Sequence, residues 1–194
     1  IAIAFVFYVT VLATGGNKLA GGICFSLGLI LCVILGGELF TSTTLTLVAR
    51  AAKRITWGQL LKNWLIVYFG NLIGGLVIVA LVMLASQYMN TNGQWGLTAL
   101  NTAQHKIHHT FVEAVALGIL CNLMVCVAVW MSFGGRTMTD KALIMVLPVA
   151  MFVASGFEHS IANMFMIPVG ICIQTFAGPE FWQTIGADPA KYAD

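Results

Sequence analysis

The sequence predicts an all-α integral membrane protein in which two membrane-spanning helices are broken. Three observations lead to this fold class. Of the 194 residues, 59% are hydrophobic and only 8% are charged, whereas soluble domains contain about 25% charged residues. The apolar residues form long continuous stretches, as membrane-spanning helices require. Two of these stretches are too long for one span and carry a carboxylate near the middle, which indicates a break in each.

Five membrane segments are predicted, at residues 1–13, 19–49, 64–85, 111–133 and 143–174. The first is too short to span a bilayer, and no basic segment precedes it, so it does not read as a signal peptide. We expect one membrane domain over the whole chain, with its first span cut short and a sixth span missing from this chain.

The second and fifth segments are expected to break at about residues 36–44, around Glu38, and at about residues 155–163, around Glu158. Backbone can leave the helix inside a bilayer only where it is buried in protein or lines a wet cavity. A matched pair of breaks in the two halves of a chain is typical of a transport site at mid-membrane between inverted repeats.

The distribution of lysine and arginine predicts the orientation. The joins at residues 50–62 and 134–141 contain six of the nine cations, whereas the join at 86–110 contains one. Cytoplasmic loops are enriched in these residues, so the first two joins are expected in the cytoplasm and the third outside, with Trp95 near the outer interface. A net charge of +2 without a basic run gives no reason to expect a nucleic-acid partner.

Placing an ionisable group at membrane depth costs free energy, so each such group is expected to have a structural or functional role. Glu38 and Glu158 could accept the free N–H groups of a half-helix, contact a permeating molecule or relay a proton. His159 is the only histidine inside a predicted span, which excludes bis-histidine haem ligation, and its ring can change charge near neutral pH. A weak-acid anion could take a proton there and cross apolar constrictions as the neutral acid.

Several uncharged polar groups accompany the breaks. The hydroxyls of residues 41–44, including Thr41, could bond freed backbone groups or a small ligand. The Asn122 amide could pack against a neighbouring helix or against His159, and Asn71 is interpreted as an interhelical contact. Apolar candidates for constrictions are Phe25, Leu29, Leu39, Phe40, Val125 and Phe152.

Outside the membrane, Lys106 lies among histidines at 105, 108 and 109. This cluster is interpreted as an electrostatic collector for small anions, since a charged vestibule raises the local ion concentration. A metal site is not favoured because no carboxylate or cysteine ligand is adjacent, and no cofactor is expected.

Four motifs carry a family resemblance: Gly-Glu-Leu-Phe-Thr-Ser-Thr at 37–43, Lys-Asn-Trp at 62–64, Gly-Ile-Leu-Cys-Asn-Leu-Met-Val at 118–125 and Ser-Gly-Phe-Glu-His-Ser-Ile-Ala-Asn-Met at 155–164. With them the chain resembles the formate/nitrite transporter family over essentially its whole length. The resemblance implies an aquaporin-like, six-span bundle, with a pore in each subunit of a lipid-embedded homopentamer in the bacterial inner membrane, and the 86–110 join in the periplasm.

The resemblance also implies roles for particular residues. Thr41 and His159 would form the central polar pair of the pore with Asn122 beside them, Lys106 would lie near the outer mouth, and the six apolar candidates would form the constrictions. The permeants would be formate, nitrite, hydrosulfide and related small monovalent anions or their neutral acids.

A passive formate channel has several alternatives. A proton-coupled formate symporter could use the same residues. Water or glycerol conduction is disfavoured because no Asn-Pro-Ala motif occurs, and an ammonium channel would need paired pore histidines. An intramembrane hydrolase using Ser155 or Ser160 with His159 lacks a positioned base and oxyanion site, so no enzyme is expected. A purely structural scaffold would not need two polar breaks.

Overall fold

The computed structural model describes residues 1–192, and all regular secondary structure in that range is helical. The predicted all-α fold class is therefore confirmed. The α-helices are α1 (Ala2–Ala13), α2 (Lys18–Leu35), α3 (Phe40–Thr43), α4 (Thr46–Ala51), α5 (Trp57–Leu84), α6 (Gln94–Ile107), α7 (Phe111–Ser132), α8 (Met138–Ala154), α9 (Ser160–Phe176) and α10 (Pro179–Ile185). Short 3₁₀ turns occupy Gln87–Met89 and Pro189–Tyr192.

Three of these helices, α2, α5 and α7, are each long and apolar enough to cross a bilayer. Helix α1 is apolar but has only 12 residues. Helices α8 and α9 have 17 residues each and follow one another across a short non-helical segment. The protein is thus a multi-pass membrane protein that combines continuous helices with interrupted ones.

Helix α5 begins seven residues before the predicted third span, and its start has a local cause. The Thr56 hydroxyl accepts the Gln59 N–H while the Gln59 side chain accepts the Thr56 N–H. This reciprocal capping box satisfies two backbone donors that would otherwise lack partners. It extends the helix through a polar segment, 57–63, that hydropathy alone assigns to the preceding join.

The two breaks share one backbone design. Gly36 follows α2 with φ of +71°, and Gly156 follows α8 with φ of +75°, a left-handed conformation that glycine adopts without steric cost. Three residues after each glycine, Leu39 and His159 are extended and immediately precede the next helix. Both predicted breaks are therefore present: the backbone is non-helical at 36–39 and 155–159, and a two-residue turn at 44–45 separates α3 from α4.

The helices that lead into the two breaks, α2 and α8, pack directly against each other. At their contact Gly22 lies so close to Ala150 that an added Cβ atom would approach the Ala150 carbonyl oxygen to 2.6 Å. This close approach holds the first turns of α2 against the last turns of α8.

The join at 86–110 differs from the predicted loop, since most of it is helix α6. This helix packs on α1 and α9, with Trp95, Ala99 and Ala103 buried along one face. The Trp95 indole donates to the hydroxyl of Thr10 at 3.1 Å and is fully buried. The ring therefore fills the space between α1 and α6, and its position near the outer interface stays a prediction.

Candidate functional site

The two breaks meet at a polar pair. Thr41, in the single turn of α3, and His159, at the start of α9, approach to 3.3 Å between Oγ1 and Nε2. Both side chains are buried, with exposed fractions of 5% and 4%. The imidazole therefore faces the other break and not the lipid.

The hydrogen bonds of His159 determine which of its ring nitrogens carries the proton. Nδ1 accepts the backbone N–H of Ala162 at 3.1 Å and so caps the N-terminus of α9. A nitrogen that accepts a hydrogen bond must hold a lone pair, so the neutral ring carries its proton on Nε2. Nε2–H then donates toward Thr41, and the imidazole presents a donor, not a positive charge.

Aromatic rings surround the imidazole. Phe152 stacks on it with ring centroids 5.9 Å apart, and Phe25 meets it edge-on at 6.3 Å. The candidate constriction residues Leu29, Leu39 and Val125 are also buried, each exposed by 2% or less.

Phe40 differs from the other constriction candidates. Its ring is half-buried and packs against Trp64 and Tyr68 of α5. This contact places Phe40 beside the first break and away from the aromatic rings that flank His159.

A cavity of about 310 Å³ extends from the His159 ring toward the ends of α1 and α6. Phe25, Phe152 and His159 line its inner end, and Lys18 and His105 lie among the residues at its outer end. The cavity joins a polar mouth to a histidine enclosed by aromatic rings, which is the form expected of a vestibule leading to a narrow filter.

Glu158 is the centre of a buried polar cluster next to His159. Both carboxylate oxygens accept from the Lys106 ammonium, at 3.0 and 2.9 Å, and one also accepts from the Asn163 amide at 2.8 Å. His109 Nε2 lies 3.4 Å from the other oxygen. The sequence predicts Lys106 to attract anions near the outer mouth; the structure holds it in an ion pair with Glu158, whose charges largely cancel at a distance.

Lys18 remains as a cation at the mouth. It lines the cavity, is exposed and has no ion-pair partner among residues 1–192. Within the described part of the chain it is therefore better placed than Lys106 to contribute positive potential.

Asn122 lies near the pair but does not touch His159. Its Nδ2 donates to Thr44 Oγ1 at 3.3 Å and approaches the Cys126 sulfur at 3.8 Å, while its Oδ1 is buried without a partner among the described residues. The sequence leaves open whether the Asn122 amide packs against a neighbouring segment or against His159. In the structure it packs against the segment that contains Thr44.

Neither Glu38 nor Glu158 accepts the free N–H groups of a half-helix, which is one of the roles that the sequence allows for each. At the first break the Phe40 N–H donates to the Asn71 side chain at 2.8 Å, and at the second the capping group is His159 itself. Glu38 instead accepts from the Asn63 amide at 3.0 Å. Asn71, which the sequence predicts as an interhelical contact, makes that contact as the cap of the first break, and the capping role itself has no signal in the sequence beyond a lone amide midway along an apolar helix.

The described residues contain no group of three or more His, Cys, Asp or Glu side chains that could hold a metal ion. The chemistry available at the site is therefore that of hydrogen-bond donors, aromatic faces and one buried ion pair.

Comparison with known proteins gives one consistent result. The family model described as formate/nitrite transporter matches residues 1–187. The chain is 66% identical over 199 aligned residues to the formate channel FocA of Escherichia coli K12 and 62% identical over 200 to that of Haemophilus influenzae. Each match covers all of this chain and 70% of the relative.

Solved structures agree with the sequence relatives. A structure described as a pentameric formate channel with formate bound superimposes with a TM-score of 0.94 at 53% identity, covering all of this chain and 78% of that one. A channel described as an ion channel of the FNT family superimposes with a TM-score of 0.73 at 29% identity, covering 88% of this chain and 71% of that one. The chain belongs to the formate/nitrite transporter family.

Proposed function

We propose that this protein is a membrane channel that conducts formate and related small monovalent anions, or their neutral acids, through a pore in each protomer of a homopentamer. The relatives support the class of activity, because those from Escherichia coli and Haemophilus influenzae are named formate channels and one similar solved structure is described as a pentameric formate channel with formate bound. Those names are of channels and not of enzymes.

The observation that carries the proposal is the Thr41–His159 pair at the inner end of an aromatic-lined vestibule. A carboxylate that reaches the pair can accept from Nε2–H of His159 and from the Thr41 hydroxyl in place of their mutual contact. Charged groups form strong hydrogen bonds, so two donors partly replace the water that formate leaves outside. The absence of a fixed positive charge at the pair lets the ion leave again.

Apolar residues on the path to the pair would act as the constrictions. Phe25 and Phe152 stand between the outer cavity and the imidazole, and Leu29, Leu39 and Val125 are buried nearby. Apolar constrictions exclude strongly hydrated ions, since each ion must shed its water to pass. We assign Phe40 a supporting role at the first break because its ring packs on α5.

For the orientation, we propose that the joins at 50–62 and 134–141 face the cytoplasm and that the 86–110 join, which contains α6, faces the periplasm of the bacterial inner membrane. The distribution of cations supports this assignment. The outer cavity would then collect its ions from the periplasm, with Lys18 at the rim.

Formate flux into proteoliposomes tests the proposal. Stopped-flow measurement should show fast uptake of formate by the wild-type protein and slow uptake of a bulky carboxylate such as benzoate. Liposomes containing the Thr41→Val variant, which loses one hydroxyl at nearly constant volume, should show reduced formate uptake. Wild-type uptake no faster than in empty liposomes would refute the channel.

The second candidate is proton-coupled symport of formate. It requires a group that gains and loses a proton during each cycle, and protonation of His159 at Nδ1 would break the bond from Ala162 that caps α9. This cost favours the passive channel. Uphill accumulation of formate driven by an imposed proton gradient would establish symport, whereas equilibration to the formate gradient alone supports the channel. Competition by nitrite and hydrosulfide would rank the permeants.

A further inference from the structure

Asn71 makes two hydrogen bonds to the backbone of the first break. Its Oδ1 accepts the Phe40 N–H at 2.8 Å, and its Nδ2 donates to the Glu38 carbonyl at 3.0 Å. Both groups flank Leu39, whose φ of −111° and ψ of 122° are those of a parallel β-strand. The side-chain amide therefore takes the place of the N–H and C=O that one residue of a neighbouring parallel strand would present.

These two backbone groups need partners because of where they lie. The Phe40 N–H is among the first donors of α3 and has no partner within that helix. The Glu38 carbonyl lies beside a groove lined by Asn71, Gly70 and Gly74, and inside a bilayer such a groove faces lipid or protein in place of bulk water. An unpaired backbone group in that setting is strongly unfavourable.

The second break uses a different solution. His159 occupies the position that corresponds to Leu39, three residues after the left-handed glycine, and its own ring caps the helix that follows. The side chain of Leu39 cannot accept a hydrogen bond, so the first break has to take its cap from another helix. Asn71, midway along α5, supplies it.

We propose that Asn71 is a positioning residue of the pore: by clamping the Glu38–Phe40 backbone it sets the place of the Leu39 side chain at the constriction and of the Thr41 hydroxyl opposite His159. The inference rests on the proposed channel function for its effect on flux, but the clamp itself can be measured without flux. Asn71 touches neither His159 nor Thr41, so its action is indirect.

The experiment compares Asn71→Leu, which has a similar volume and no amide, with Asn63→Leu as the matched control. Asn63 lies on the same helix and donates only to the Glu38 side chain. In hydrogen-exchange mass spectrometry of the assembled protein in lipid nanodiscs, peptides that contain residues 36–44 should exchange about ten- to a hundredfold faster in Asn71→Leu, as expected when a buried hydrogen bond is left unmade. They should stay within about twofold of wild type in Asn63→Leu.

Flux provides the second measurement. Formate uptake by Asn71→Leu should fall, and the ratio of acetate to formate uptake should rise, because a loosened Leu39 discriminates less by size. A general loss of stability would lower both fluxes together and leave the ratio unchanged. Wild-type exchange rates in Asn71→Leu, an unchanged uptake ratio, or an equal exchange increase in Asn63→Leu would each overturn the proposal.

If Asn71→Leu does not assemble, Asn71→Asp replaces it. A carboxylate keeps the acceptor for the Phe40 N–H and loses the donor to the Glu38 carbonyl, so exchange should be intermediate and the uptake ratio should still rise. Wild-type behaviour of Asn71→Asp in both measurements would refute the clamp. Absence of formate flux in the wild type would refute the channel alone, because the exchange comparison would remain valid.

Discussion

Replacing His159 by asparagine should separate the two functions of its ring. The Oδ1 atom of asparagine is a favourable N-cap acceptor, so His159→Asn can retain the bond from the Ala162 N–H. The shorter side chain has no donor where Nε2 now meets Thr41 at 3.3 Å. His159→Phe, in contrast, loses both the cap and the donor.

The two variants should therefore differ in stability and agree in flux. Loss of an N-cap costs about 0.5–2 kcal/mol, so His159→Phe should melt below His159→Asn in detergent. A hydrogen bond to a charged partner contributes about 1.5–3 kcal/mol, and its loss should slow formate uptake by about ten- to a hundredfold in both variants. Differential scanning fluorimetry and stopped-flow uptake measure the two effects.

The pH dependence completes this test. Because the Nδ1 lone pair is engaged by the Ala162 N–H, the ring stays neutral, and the effect of either variant on formate uptake should be the same between about pH 5 and pH 8. Wild-type uptake by His159→Asn would show that the Nε2 donor is not needed. Equal melting of the two variants would show that the cap does not stabilise α9. Either result would refute the reasoning from ring geometry.

Two further comparisons use matched variants. Lys106→Ala leaves the buried Glu158 without its cation, which costs about 3–5 kcal/mol of folding free energy. This variant should therefore melt at a lower temperature and reduce formate uptake equally at low and high salt. Lys18→Ala should melt normally and reduce uptake mainly at low salt, where screening is weak. A salt-dependent loss in Lys106→Ala alone would restore its role as a collector. Gly156→Ala should lower the stability of the fold by about 1–2 kcal/mol, because the φ of Gly156 is +75°. Gly70→Ala should leave stability unchanged or raise it, because a Cβ atom added at Gly70 meets nothing within 4 Å. Equal melting of these two glycine variants would contradict the strain argument.

The fold class and both breaks could be predicted from the sequence because their signals are local. An apolar run that is too long for one span and holds a carboxylate identifies a broken helix without knowledge of any other segment. The same holds for His159, the only histidine in a predicted span. The opening residue of α5 was missed although its signal was also local, since Thr56 and Gln59 have the spacing of a capping box.

Helix α6 was missed because its polar composition outweighed its pattern. Its mean hydropathy is low, but Trp95, Ala99 and Ala103 recur at intervals of four residues, as on one face of a helix. This periodicity, and not the polar composition, indicates the helix that packs on α1 and α9.

The hydrogen-bond partners at the site could not be predicted, because they join distant segments. Lys106 and Glu158 are 52 residues apart, and Asn71 and Phe40 are 31 apart. Sequence identifies which buried polar groups need partners but not which partners the packing of α5 and α6 brings to them. For this reason the sequence predicts an anion-attracting Lys106 but not its pairing with Glu158, and predicts Asn71 as a contact between helices but not as a cap.

The chemistry of the site is asymmetric although the backbone is not. Both breaks have a left-handed glycine, a carboxylate two residues later and an extended residue before the next helix. At the extended position the first break has Leu39, which is apolar and capped from outside, and the second has His159, which caps itself. Because the Ala162 N–H in the first turn of α9 donates to Nδ1, that turn orients the ring, and Nε2 is directed toward Thr41. Repetition of one backbone motif thus places an apolar side chain and a hydrogen-bond donor at corresponding positions of the two breaks, and the proposed passage of a small anion would use both, one to exclude its hydration shell and the other to replace part of it.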